Sequence, residues 1–284
     1  MSDLWAELAT PAGPKGSGRL RYGAAMALYQ QGHLGDAALE VYRICALLDG
    51  QDPGVLLAEL DLAASKSPEE TAETAIRSLL DEADLYLATL PGPGVGEVRA
   101  GLNKWRGGPV TPTRKPNAVL AALLPAALDP LLATHPALAR AIAGAARWLN
   151  WISYDGYGPE IGEGFAKGHC FTSIIGEDAA ILARDFDFGL FLIAPHVLYR
   201  DHHHPAPELC APLTGPHGWR FGAGDPLMIK PAHQPVCNVP MRPHLTKVGA
   251  VPFLAFFGWT SDVQAAAKVI PAGDWAALEA LRLG

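Results

Sequence analysis

The spacing of apolar residues changes near residue 152, and this change restricts the fold more than any other feature. Before it, alanine and leucine recur at three- and four-residue spacing, which is typical of amphipathic helices. After it, glycine, proline and aromatic residues become more frequent and separate short apolar runs, which is typical of antiparallel strands. The sequence therefore predicts an α+β protein, with an all-helical domain over residues 1–158 and a β-sandwich or β-barrel domain over residues 159–284.

The helical pattern covers residues 20–48, 54–64, 68–90, 98–105 and 117–151. We expect the last segment to be interrupted near Pro130 and Pro136, because proline removes a hydrogen bond from a helix interior. The strand-like runs are FTSIIG, AAILARDF, GLFLIAP, PLMIKP and PFLAFFGW. The sequence Thr260-Ser261-Asp262, followed by the segment 274–283, predicts a final short helix.

Composition excludes several classes of protein. Hydrophobic residues make up 49% of the 284 residues, which is too many for a disordered chain. The net charge of −7 argues against binding to a nucleic-acid backbone. No apolar run reaches the ~18 residues that a membrane span needs, and the N-terminus carries acids where a secretory signal carries bases. We therefore expect a soluble, cytoplasmic protein with no nucleic-acid or membrane partner, and we keep a homodimer open.

Histidine is concentrated in one part of the chain, whereas the cysteines are scattered. The four cysteines show no C-x-x-C spacing, so we interpret them as free thiols. Of the ten histidines, seven lie between His196 and His244. Because histidine ligates metals and exchanges protons near neutral pH, we expect the chemistry in this window.

Within the window, the string YRDHHHPAPELCAPLTG has the spacing H-x-H-x3-E-x6-G. His202 and His204 are two residues apart, so on a strand they face the same side. Glu208 can reach the same ion if the chain bends at Pro205 and Pro207. Two imidazoles and one carboxylate suit a divalent transition metal such as Zn, Fe, Mn or Ni. A solvated loop of histidines is the alternative interpretation, and we predict the metal site.

This spacing resembles the first motif of the cupin superfamily, and the resemblance implies a small double-stranded β-barrel. Over residues 171–262, the order of SIIGEDAAILARDFDFGLFLIAP, YRDHHHPAPELCAPLTG, GWR, GD and PFLAFFGW is similar to that in the cupin-type dimethylsulfoniopropionate (DMSP) lyases. Members of that family cleave DMSP to dimethyl sulfide and acrylate with a bound divalent metal and a tyrosine base. The resemblance implies a metal-dependent carbon–sulfur lyase that acts on a small carboxylate by β-elimination.

The resemblance also implies roles for single residues. Tyr199 matches a tyrosine that lines the family's active site, and we expect it to act as the base. The family's usual tyrosine two residues after the glutamate is replaced by Cys210, which is a second catalytic candidate, as thiolate base or ligand. Trp219 and Trp259 are candidates for holding a cationic sulfonium by cation–π attraction, although such tryptophans more often belong to a barrel core.

The last metal-binding histidine of the family has no direct counterpart, because Val236 occupies its position. We predict that His233, three residues earlier, closes the site. Cys237, His244 and water are the alternatives. The reaction also has alternatives: another metal-dependent cupin enzyme, such as a dioxygenase or isomerase on a small acid, or a non-enzymatic sensor of a ligand or metal.

Further side chains stand outside this predicted site. Tyr154 and Tyr157 are candidates for a lid at the junction of the two predicted domains. Asp185 and Asp187 alternate with aromatic residues and therefore share one strand face, which we expect to be solvated.

Overall fold

The computed structural model describes residues 4–31, 33–60, 62, 68–153, 156 and 158–283, so the proposed lid residues Tyr154 and Tyr157 lie outside the described residues. The chain divides into two compact units, Met1–Thr71 and Ala72–Gly284. The boundary that we predicted at residue 158 therefore falls inside the second unit.

The first unit is helical. Its helices are α1 (Leu4–Leu8), α2 (Ser17–Gln30), α3 (Asp36–Cys45) and α4 (Pro53–Glu59). Side chains such as Ala24, Leu28, Val41 and Leu57 form its apolar core. Asp52 begins α4, because its carboxylate accepts a hydrogen bond from the backbone N–H of Gly54 at 2.8 Å.

The second unit starts with helices that pack on a β-sheet. These helices are α5 (Pro68–Ala88), α6 (Val95–Trp105), α7 (Ala118–Thr134) and α8 (Pro136–Ala146). Buried residues of the helices, such as Ile76, Leu102 and Ile142, share one core with Phe188 and Leu190 of the sheet. This shared core is the physical reason why the helices belong to the same compact unit as the sheet.

Helix α7 shows how packing outweighs a local signal. We expected an interruption near Pro130, but α7 continues through Pro125 and Pro130. The neighbouring Leu128 and Leu131 are buried in the shared core, and their burial compensates for a lost backbone hydrogen bond. The interruption near Pro136 is confirmed, because α8 begins at this proline, where its missing N–H costs nothing.

The strands follow a 3₁₀ helix (Pro159–Ile161) and α9 (Glu163–Gly168). They are β1 (His169–Gly176), β2 (Ile181–Leu182), β3 (Asp187–Ile193), β4 (Leu198–His203), β5 (Glu208–Pro212), β6 (His217–Arg220), β7 (Met228–Lys230), β8 (Val236–Asn238), β9 (His244–Lys247), β10 (Phe253–Trp259) and β11 (Lys268–Val269), and α10 (Trp275–Ala280) ends the chain. In the described residues the strand orders are β2-β1-β3-β10-β5-β8 in one sheet and β11-β4-β9-β6-β7 in the other. Apart from β1 with β2, the neighbours pair antiparallel. The predicted α+β class, with a cupin-like β-domain and a final short helix, is confirmed.

The segment between β10 and α10 differs from the expectation. No helix begins at Thr260-Ser261-Asp262, because the chain runs on to β11, which pairs with β4. In the described residues after β10, α10 is the only helix. No helix in the described part of the chain combines the length and apolar character needed to cross a membrane.

Candidate active site

A cavity of about 290 Å³ is lined by side chains from both sheets. The predicted site residues that line it are Tyr199, His202, His204, Glu208, Cys210, Trp219 and Trp259. Residues 263–267, in the loop before β11, line it as well. The β-domain therefore brings together the metal, catalytic and substrate candidates, with the exception of His233.

Strand β4 delivers Tyr199 to the cavity through an irregular register. Tyr199 lies three residues before His202, so in a regular strand the two side chains would face opposite sides. The pairing with β9 shifts between them: Tyr199 lies opposite Thr246, whereas His202 lies opposite His244. The extra residue on β4 is a β-bulge. It places both rings on the cavity side, where they stack with centroids 3.8 Å apart.

The cavity contains a cluster of buried potential metal ligands. One ligand nitrogen from each of His202, His204 and His244 lies within 4.8 Å of the other two. An oxygen of Glu208, Oε2, lies 3.5 Å from Nε2 of His204 and 3.8 Å from Nε2 of His244. His244 joins the cluster because β9 is the hydrogen-bonded neighbour of β4.

Hydrogen bonds to the backbone orient the three imidazoles. In chain order, their Nδ1 atoms donate to the carbonyl oxygens of Arg200 at 2.8 Å, Ala206 at 2.8 Å and Arg242 at 2.9 Å. A carbonyl oxygen only accepts, so Nδ1 carries the proton and a neutral ring presents the lone pair of Nε2. Nε2 of His244 is buried and lacks a hydrogen-bond partner among the described residues. This orphaned nitrogen and the adjacent Glu208 carboxylate fit a divalent metal.

Glu208 is partly buried and ionised. Burial alone would raise the pKa of its carboxyl, but hydrogen bonding to His204 and the charges around it lower the pKa well below the usual range. Asn238 Nδ2 donates to Oε2 at 2.7 Å, and Trp259 Nε1 donates to Oε1 at 3.0 Å. Both donors are cross-strand neighbours of Glu208, on β8 and β10. The carboxylate is thus held in the charged form that ligates metals.

The histidines have different proton affinities. Burial and the nearby His244 lower the pKa of His202 well below its ordinary value. Burial lowers the pKa of His244 as well. Burial also works against protonation of His204, but the hydrogen bond and charge of Glu208 outweigh it and raise the pKa. The His202 and His244 rings are therefore neutral, which is the metal-binding form.

Cys210 lies two residues after Glu208, on the same face of β5. Burial raises the pKa of its thiol well above the usual value, and the charge of Glu208 adds to this effect. A protonated thiol is neither a strong base nor a strong ligand. The structure places Cys210 in the cavity wall, and its catalytic role stays a prediction.

The two predicted tryptophans occupy different positions in the wall. Trp219 is buried, and its ring centroid is 5.9 Å from that of Phe253. Trp259 stacks on His204 with centroids 4.5 Å apart while its Nε1 bonds to Glu208. Trp259 therefore orients two of the potential metal ligands in addition to lining the cavity.

The structure does not bring His233 to the cluster. It lies in the turn before β8, at φ 63°, and its backbone N–H donates to the carbonyl of Pro212 at 2.8 Å. Its Nδ1 lies 3.1 Å from the hydroxyl of Tyr86, and its ring packs 4.6 Å from that of His135. His244, the alternative on β9, takes the place that we expected for His233.

Asp187 is a cavity residue that the sequence pattern placed in solvent. It shares the inward face of β3 with Phe191, whereas Asp185 precedes the strand and pairs with Lys104 at the surface. Burial raises the pKa of Asp187 to about 6, although a hydrogen bond from Ser173 opposes the effect. Its Oδ1 is buried without a hydrogen-bond partner in the described part of the chain. The alternation in DFDF predicts that the two aspartates share one strand face, but it does not tell whether that face points to the cavity or to solvent.

The two β-sheets and the histidine–carboxylate cluster that they carry define a cupin-type protein. A family model described as dimethylsulfoniopropionate lyase matches residues 108–255, just over half of the chain. The chain therefore belongs to the DMSP lyase family, and it is an enzyme of the carbon–sulfur lyase class, as the resemblance implied.

Comparison with solved structures agrees on the fold. The DMSP lyase DddQ from Ruegeria pomeroyi DSS-3 is 23% identical, with a TM-score of 0.52 over 69% of this chain and 96% of that chain. A structure from work on the DMSP lyases RdDddP and RnDddQII is 17% identical, with a TM-score of 0.50 over 70% of this chain and 100% of that chain. A search of curated proteins gives no match.

Proposed function

We propose that this chain cleaves DMSP to dimethyl sulfide and acrylate by metal-assisted β-elimination in the cavity between the sheets. The observation that carries the proposal is the convergence of the histidine nitrogens and the Glu208 carboxylate beside Tyr199. A divalent ion held by His202, His204, Glu208 and His244 would supply Lewis-acid polarisation of the substrate carboxylate, which acidifies the α-proton. Zn, Fe, Mn and Ni all suit this donor set.

Tyr199 is the proposed base. Its ring is stacked between Phe165, at a centroid distance of 4.0 Å, and His202, at 3.8 Å, so the direction of its phenolic oxygen is restrained. As a phenolate, the oxygen takes the α-proton of the substrate and becomes the neutral phenol. The electron pair of the broken C–H bond forms the double bond of acrylate as the C–S bond breaks. Dimethyl sulfide leaves as a neutral molecule, so this step needs no acid.

The cationic end of the substrate needs its own contacts. Asp187 lies opposite Trp259 on β3, and Glu208 lies opposite Trp259 on β5. Because adjacent strands are about 4.8 Å apart, the backbones of the two acidic residues are separated by roughly 10 Å. A substrate with a carboxylate at one end and a sulfonium at the other fits between them. Trp219 and Trp259 add aromatic faces that attract a cation.

This arrangement predicts that Asp187→Asn weakens the binding of the cation. We expect the KM for DMSP to rise about 10-fold, because an interaction with a charged group is worth about 1.5–3 kcal/mol and tenfold corresponds to about 1.4 kcal/mol. In the unmodified protein, KM should fall as the pH rises through about 6, because Asp187 then becomes a carboxylate. The Asn variant should lose this dependence.

The control for this prediction is a substrate analogue that lacks the sulfonium charge. 3-(Methylthio)propionate carries the same carboxylate but no sulfonium charge, and its inhibition constant should be equal in both forms of the protein. Equal weakening of the binding of DMSP and of the analogue would show that Asp187 shapes the cavity without interacting with the sulfonium charge.

The proposed reaction is tested with protein stripped by a chelator and reloaded with single metals. We expect reloaded protein to release dimethyl sulfide, measured by gas chromatography, and acrylate in equal amounts, whereas stripped protein releases neither. Metal-loaded protein that yields no dimethyl sulfide would contradict the proposal and favour another reaction on a small acid. We further propose a cytoplasmic enzyme that acts as a homodimer, which light scattering and cell fractionation test.

A further inference from the structure

The two residues inside the β4 bulge, Arg200 and Asp201, belong to a network outside the cavity. Asp201 is fully buried and faces the equally buried Arg220 of β6. Nε of Arg220 donates to Oδ1 of Asp201 at 2.9 Å, and Nη2 donates to Oδ2 at 2.6 Å. This is a bidentate pair, which fixes angle as well as distance.

The last helix completes the network. Asp274, which precedes α10, accepts from Nη1 of Arg220 at 2.5 Å and from Nη2 at 3.0 Å. Nε1 of Trp275 donates to Oδ2 of Asp201 at 2.7 Å. Glu279 accepts from Nη2 of Arg200 at 2.6 Å, and the Arg200 guanidinium lies over the Trp275 ring at 4.6 Å. The bulge is therefore bound from its outer side by β6 and α10.

A buried ion pair is a costly way to gain stability. Removing two charges from water costs several kcal/mol each, and apolar replacements are often as stable. A bidentate pair instead fixes the relative position and angle of the two residues. Here it fixes the position of Asp201 within the bulge, where the Asp201 carbonyl also accepts a hydrogen bond from the backbone N–H of Ile270 at 2.7 Å.

The bulge connects directly to the reactive side of β4. Tyr199 and His202 flank its two residues, and the Arg200 carbonyl accepts the Nδ1 proton of His202. If the bulge were lost, the register would slip by one residue and one of the two flanking rings would turn out of the cavity.

We propose that Arg220, together with Asp274, Trp275 and Glu279, holds the β4 bulge so that Tyr199 and His202 face the cavity together. These are positioning residues, since they lie on the outer side of the strand. The catalytic role of Tyr199 in this proposal rests on the proposed function. The orientation of the Tyr199 and His202 rings rests on the structure alone.

Two variants test the proposal. Arg220→Lys replaces the bidentate pair by a point charge, and Trp275→Phe removes one hydrogen bond to Asp201 while keeping an aromatic ring. Glu163→Gln is the matched control, because it breaks an exposed ion pair with Lys167 and removes no hydrogen bond of the Arg220 network. All proteins are compared well below their unfolding temperatures, so that only folded chains are measured.

We expect both variants to bind Zn²⁺ about 10- to 100-fold more weakly, as for other losses of supporting contacts. Amide hydrogen exchange of residues 198–203 in the metal-free protein should become faster, and kcat should fall more than KM changes. The Glu163→Gln control should match the unmodified protein in all three measurements. A contribution to stability alone would lower the unfolding temperature and leave the Zn²⁺ affinity of the folded chain unchanged.

The results separate this proposal from the proposed function. Unchanged Zn²⁺ affinity and unchanged exchange in both Arg220→Lys and Trp275→Phe would overturn the positioning role, whatever the reaction is. If Arg220→Lys does not fold, Trp275→Phe decides alone. Full lyase activity in a Tyr199→Phe protein would overturn the mechanism, while the affinity and exchange measurements would still judge the bulge.

Discussion

Tyr199→Phe should lower kcat for DMSP cleavage at least about 100-fold while the protein retains its metal. The substitution removes only the phenolic oxygen, and a positioned general base contributes typically 10²- to 10⁴-fold to a rate. The ring can keep its stacking on Phe165 and His202, so the ligand cluster should stay in place. The measurements are dimethyl sulfide release and metal content of the same samples.

The matched control is Tyr86→Phe. Tyr86 is also buried, but its hydroxyl contacts the Pro212 carbonyl and His233, outside the cavity lining. We expect its loss to reduce stability by about 1 kcal/mol, as for an ordinary hydrogen bond, and to leave kcat close to that of the unmodified protein. Rapid cleavage by the Tyr199→Phe protein would mean that another group removes the proton.

His244→Ala should abolish stable metal binding, and this is the second large effect. The substitution removes one of the potential ligands on β9 while His202, His204 and Glu208 remain. Because loss of a supporting contact alone costs 10- to 100-fold in affinity, loss of a direct ligand should cost more than about 100-fold. The measurements are metal content after dialysis and the rise in unfolding temperature on adding Zn²⁺, which should disappear.

Two histidines serve as controls for the same experiment. His203 is the last residue of β4, between the inward-facing His202 and His204, and His233 packs on Tyr86 and His135. Alanine at either position should leave metal content unchanged. A protein that loses its metal through His233→Ala and keeps it through His244→Ala would contradict the ligand set proposed above.

Local patterns in the sequence were sufficient for the class of the fold and for part of the site. The change of apolar spacing near residue 152 separates helices from strands, because side-chain periodicity is a local property. The H-x-H spacing puts His202 and His204 on the same side of the chain, also by local periodicity. The short bend at Pro205 and Pro207 then brings in Glu208, which belongs to β5 of the other sheet. All three line the cavity.

Tertiary structure decided the rest of the site, because strand neighbours and covered faces depend on long-range packing. Only the pairing of β9 with β4 brings His244 to the cluster, while the turn before β8 carries His233 elsewhere. The bulge turns Tyr199 inward, although regular strand alternation would turn it outward. The contacts that hold the bulge include Trp275 of α10, which is far along the chain. The inward side of Asp187 likewise depends on which face of β3 encloses the cavity, which two-residue alternation cannot encode.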